Sequence, residues 1–132
     1  TGYNGKNIDI TCQLGEVRAA IELKCFMKSS NRAKDLDMYD ALIDIERLES
    51  FEEFNIKKFF CLTDNKYYAE TVQKGMASSV TLKHGTIYKS NQEIIPLWTG
   101  KWKVKRDKPI IFKKDIVCNW ISSNGWYYLQ IN

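Results

Sequence analysis

Apolar and polar residues alternate over NIDITCQ (7–13), with Ile8, Ile10 and Cys12 on one side and Asn7, Asp9 and Thr11 on the other. This is the period of a strand. LGE (14–16) reads as a turn, and VRAAIELKCF (17–26) as a second strand, largely apolar on both sides. So short a turn makes the pair an antiparallel hairpin. Met38, Leu42, Ile45 and Leu48, extended by Phe51, recur at helical spacing and predict a helix over 34–54. The polar stretch 29–35 offers N-cap candidates, and Asp35 and Asp37 suit the positive end of the helix dipole. IKKFFCLTD (56–64) reads as a buried strand. Hairpin, helix and strand in that order compose a crossover and a mixed sheet. Farther on, the pattern suggests a short helix over 65–76 ending near Gly75 and a hairpin over 78–90 about His84-Gly85. Two strands follow over 115–132 about Asn124-Gly125. The expected fold class is α/β: a mixed central sheet flanked by helices, with a strand-rich C-terminal part.

Composition adds bounds. A chain of 132 residues, 44% hydrophobic and 27% charged, fits one domain around one core. Its core elements span about 7–70, and a strand-rich basic part spans 77–132. Because it starts at Thr1, the chain is expected to be trimmed or excised from something longer. No apolar stretch nears the ~20 residues of a membrane span. Cys12, Cys25, Cys61 and Cys118 form no CxxC pair, and His84 stands alone. A zinc cage is therefore not indicated, and reduced, buried cysteines in the cytoplasm are expected. The net charge of +4 is uneven. Of the 20 Lys and Arg, 7 lie in 1–56, against 11 of the 16 Asp and Glu. An acidic part beside a basic one suits a protein that holds cations at one place and a polyanion at another.

Glu22 and Lys24 interrupt the apolar run AAIELKC (19–25). Alternation puts both on one face, with Ala20 and Phe26. A turn spanning 14–17 sets Gln13 opposite Arg18 and Asp9 opposite Glu22, and one shorter by one or two residues shifts the partner to Ile21 or Ala20, still next to Glu22; facing Cβ atoms are about 5 Å apart. Asp9, Glu22 and Lys24 should converge. Two carboxylates so close need positive charge between them. Lys24 supplies some, and a divalent ion would supply more. Hard oxygens without nearby His or Cys suit Mg²⁺, which leaves room for a phosphate oxygen. A neighbouring lysine would orient water or offset charge in the transition state. A plain Asp–Lys–Glu ion cluster would use the same residues.

IDI…AIELKC resembles the Asp and Glu-x-Lys motifs of the PD-(D/E)XK nuclease superfamily, which includes type II restriction endonucleases and Holliday-junction resolvases. YDALIDIERLE resembles the helix behind that family's sheet, and FFCLTDNKYY the strand that follows. The resemblance covers residues 7 to about 68. It implies a restriction-endonuclease-like fold and Mg²⁺-dependent hydrolysis of DNA, with Mn²⁺ as a substitute. It further implies Asp9, Glu22 and the main-chain carbonyl of Leu23 as metal ligands and Lys24 as the catalytic lysine. Ile8 stands where the motif has Pro, and the eight residues before Asp9 are too few for the family's leading helix.

For nucleic acid, Gln13 shares the face of Asp9, and Lys28 lies just past the second strand. Lys101, Lys103 and Lys105 alternate onto one face and Arg106 follows, interleaved with Trp98 and Trp102 as stacking surfaces. Asp35, Asp37, Asp40 and Asp44 read as a solvated helix face. Thr63, Asp64 and Asn65 read as a strand end, and His84 as a turn residue. Two other functions fit the same residues: a non-catalytic nucleic-acid-binding module, and a nuclease toxin acting on tRNA or RNA with an immunity partner. The expected partner is DNA, with RNA as the variant case; a homodimer is compatible with double-strand cutting, and no membrane role is indicated.

Overall fold

A two-residue turn sets the geometry of the first hairpin. In the computed structural model, which describes residues 2–3, 6–30, 33–98 and 106–132, Gly15 alone of the turn pair has positive φ, +60°. That is the II′ arrangement, which matches the twist of the flanking strands. Two short strands, β1 (Gly2–Tyr3) and β2 (Lys6–Asn7), precede it. The hairpin strands are β3 (Ile10–Leu14) and β4 (Val17–Phe26), with Gln13 opposite Arg18 and Ile10 opposite Ile21, as the alternation required. Asp9 sits in a bend one step before β3.

The helix α1 (Lys34–Glu49) follows. Met38, Leu42 and Ile45 are fully or almost fully buried on β4 and the next strand, β5 (Ile56–Thr63). The helix ends at Glu49, short of the expected 54, because the chain turns after Ser50; Phe51 and Phe54 remain buried through that turn. Its N-cap is Ala33, which has no side-chain oxygen, so the polar 29–35 stretch does not cap it. β5 pairs parallel with β4, confirming the crossover.

The next segment departs from expectation. α2 (Tyr67–Glu70) is a single turn, and Gly75 opens a 3₁₀ turn (Gly75–Ser79) rather than ending a helix. No hairpin forms about His84-Gly85. β6 (Ile87–Tyr88) pairs instead with a later strand, β9 (Ile116–Val117), and β7 (Glu93–Ile94) pairs with β8 (Ile110–Ile111). His84 Nδ1 accepts the backbone N–H of Trp120 at 3.0 Å, so the turn is used to anchor a distant strand. That strand, β10 (Trp120–Ser123), and β11 (Trp126–Ile131) form the expected hairpin. Asn124 and Gly125 both have positive φ, as a I′ turn needs.

The result is a mixed five-stranded sheet in the order β10-β11-β5-β4-β3, in which only β4 and β5 run parallel. The fold is thus mixed α/β with few helices. α1 covers one face. On the other, Leu23, Leu62 and Ile121 are 47%, 39% and 64% exposed, and no described helix covers them. Cys61 and Cys118 are buried, and burial holds both thiols up, Cys118 at about 12. Cys12 and Cys25 are exposed, against expectation, because they point to the open face. No described helix is long and apolar enough to cross a membrane.

Leu42 is 0% exposed at the centre of the helix–sheet contact. Leu42→Ala should cost about 3 kcal/mol in urea unfolding with an unchanged slope. A loss below about 1 kcal/mol would mean that the helix does not pack where described.

Candidate active site

The end of β3, the middle of β4 and one flank of α1 meet at Glu22. Alternation turns Glu22 toward α1, where it is only 3% exposed. Its neighbours across β4, Ala20 and Phe26, are buried on the same face. Asp9 arrives from the bend before β3, and its Oδ2 accepts the N–H of Leu23 at 2.8 Å. The two carboxyl groups lie close enough to perturb each other's ionisation. The Leu23 amide, first, holds the Asp9 carboxyl below its ordinary range, with help from Glu22 and the charges of Lys24 and Arg47. Glu22 moves the other way. Burial, then the Asp9 carboxyl, pushes it up to about 7. The pair therefore divides its roles: Glu22 carries a proton near neutrality and Asp9 stays ionised.

Two cations from different elements complete the cluster. Arg47 Nη2 contacts Glu22 Oε1 at 2.6 Å, and Lys24 Nζ contacts Asp44 Oδ2 at 2.8 Å. Asp44 lies 3.7 Å from Arg47 Nη2, so one carboxylate links both cations. Asp9 lies beside Glu22, while the Lys24 ammonium is on Asp44 and acts on Asp9 through its charge. Asp44 and Arg47 were not read as part of the site. The signal was available: Asp44 shares a helix stripe with Ala41 and Leu48, three and four residues away, and both are buried.

The solvated-face reading of Asp37, Asp40 and Asp44 is overturned by their partners. Asp37 is 3% exposed and accepts the Tyr68 hydroxyl at 3.0 Å. Asp40 receives Nε and Nη2 of Arg106, each at 3.0 Å. Glu46 takes Lys108 Nζ and the Ile111 N–H. The acids of α1 thus hold the 106–113 segment in place, and part of the charge asymmetry is neutralised internally. Arg106 is a clamp on α1 rather than an open phosphate contact. Trp98 is 4% exposed, edge-on to Tyr39, and offers no stacking face. Lys101, Lys103, Lys105 and Trp102 lie outside the described residues.

Gln13 shares the site's face, but its amide binds Gly15 O at the hairpin tip, about 13 Å along the strand from Asp9. Lys28 is exposed beyond β4, its backbone N–H held by Asp64 Oδ1 at 2.6 Å. Asp64 and Asn65 close the end of β5, Asn65 accepting the Tyr67 N–H. Among the described residues no three His, Cys, Asp or Glu gather as a metal cage; the site is a pair of carboxylates. No family model, curated protein or solved structure matches the chain.

The raised Glu22 has a measurable consequence. Between about pH 4.5 and 7 the folded protein keeps a proton that the unfolded chain releases, so stability falls as pH rises through that window. Glu22→Gln should remove this slope. In EDTA the variant should match the wild type near pH 4.5 and exceed it by about 3 kcal/mol at pH 8. Parallel melting curves at all pH values would show that Glu22 titrates normally.

Proposed function

We propose that this chain is a Mg²⁺-dependent nuclease with the restriction-endonuclease-like fold of the PD-(D/E)XK superfamily, hydrolysing phosphodiester bonds in DNA. The observation that carries the proposal is that Asp9, held in the bend before β3 by the Leu23 N–H, lies beside Glu22 of β4, with Lys24 on the face of Glu22. Two hard carboxylates with no His in the cluster fit Mg²⁺, which is bound through one or two carboxylates and retains several waters. Asp9, Glu22 and the Leu23 main-chain carbonyl would hold it. When bound, the ion polarises the phosphodiester and lowers the pKa of a water.

The chain's own groups supply the rest. The Leu23 amide fixes the direction of the Asp9 carboxylate, so its position is not left to side-chain rotation. Asp44 holds the Lys24 ammonium near Asp9, whose ionisation feels that charge. A lysine so placed orients the attacking water or offsets the charge gathering on the phosphoryl oxygens. Attack in line with the departing 3′ oxygen leaves a 5′-phosphate. DNA is favoured by the family resemblance and by the basic 57–132 half, which has 13 Lys and Arg against 5 Asp and Glu.

Incubation with supercoiled plasmid, single-stranded DNA and RNA, with Mg²⁺ or EDTA, tests the proposal. DNA cleavage should require Mg²⁺ and fall by about 10³-fold in Glu22→Gln and in Lys24→Ala. Cleavage of RNA alone would favour the toxin reading. Binding without cleavage, indifferent to EDTA, would leave a nucleic-acid-binding module with an ion cluster at Glu22.

A further inference from the structure

Arg47 was not read as a site residue, yet its Nη2 lies 2.6 Å from Glu22 Oε1. Its binding edge is half used. Nη2 is on Glu22 Oε1, while Nε is buried and has no acceptor among the described residues. Arg106 shows the same edge fully used, with Nε and Nη2 each 3.0 Å from one oxygen of Asp40. A guanidinium edge is filled by two oxygens of one planar or tetrahedral anion, and a phosphate offers such a pair. Asp44, 3.7 Å from Nη2, keeps the guanidinium near the site without closing that edge.

Glu22 Oε1 is also an oxygen that a divalent ion needs. Mg²⁺ sits about 2.0–2.1 Å from its ligands. An ion on Oε1 and a guanidinium 2.6 Å from the same atom would crowd and repel each other. Lys24 cannot take over from Arg47, because Asp44 engages its ammonium.

We propose that Arg47 is a displaceable counter-cation, which neutralises Glu22 until a divalent ion takes that oxygen and then turns its Nε–Nη2 edge to a phosphate oxygen pair of the substrate. The inference rests on the nuclease reading of the site. It makes the ion and the phosphodiester bind with positive linkage, since a phosphate that draws Arg47 away frees Glu22, and an ion on Glu22 frees Arg47.

Two measurements test it at pH 8.5. Mn²⁺ titration by calorimetry compares the wild type with Arg47→Met and Arg47→Lys, each alone and with a short DNA duplex bearing phosphorothioate linkages. Arg47→Met should bind Mn²⁺ about fivefold tighter than wild type, and Arg47→Lys should fall between them. The duplex should tighten Mn²⁺ binding to the wild type by a similar factor and leave Arg47→Met unchanged. In the wild type, the Arg47 Nε–H resonance, assigned by its loss in Arg47→Lys, should shift as Mg²⁺ saturates the protein. That signal decides the matter even where Arg47→Met does not fold. Wild-type ion binding with an unmoved Nε–H, or equal or weaker binding by Arg47→Met, overturns the role of Arg47 alone. Failure of the wild type to bind either ion overturns the nuclease reading and this inference with it.

Discussion

A carboxylate removed from water holds its charge only where the protein supplies a counter-charge, and Glu22 is the group on which this constraint falls hardest. Its neighbours set the balance: Arg47 favours the charge, while burial and the carboxyls of Asp9 and Asp44 oppose it. The II′ turn fixes the register that brings Asp9 alongside. The parallel pairing of β4 and β5 needs a crossover, and the crossover is α1, which delivers Arg47 and Asp44. The site is thus a product of topology. The hairpin places Asp9, Glu22 and Lys24, and the crossover helix places Asp44 and Arg47 against them.

The same helix spends its remaining acids on a second task. Asp40, Glu46 and Glu49 grip the 106–113 segment through Arg106, Lys108 and backbone amides. This explains how short strands such as β7 and β8 stay ordered against α1 with little sheet of their own. It also divides the basic residues of the second half in two. Those bound to α1 are structural, and only the others remain to meet a polyanion.

The parts legible in the sequence were those governed by short-range rules. Period-two alternation and a short turn placed the β3–β4 register to within one or two residues, and Asn124-Gly125 announced its own hairpin turn. The buried stripe of α1 followed from its 3.6-residue period. What stayed hidden depends on which distant segment docks where. Periodicity cannot say that Arg106 returns to Asp40, 66 residues away, or that His84 meets Trp120 rather than turning a hairpin. Cys12 was read as buried on the apolar side of an alternating strand and Cys25 on a strand apolar on both sides, yet only one face of the sheet is covered by a described helix. The carboxylate pair was legible and its cationic partner on α1 was not, because a charged residue in a helix reads as solvated until its neighbours are known.

The central claim is that Asp9 and Glu22 form one cation-binding pair. Crystals soaked in Mn²⁺ and measured at the manganese absorption edge test it directly. The account predicts an anomalous peak bounded by the two carboxylates. Carboxylates that stand apart, or manganese bound only elsewhere on the protein, would contradict it.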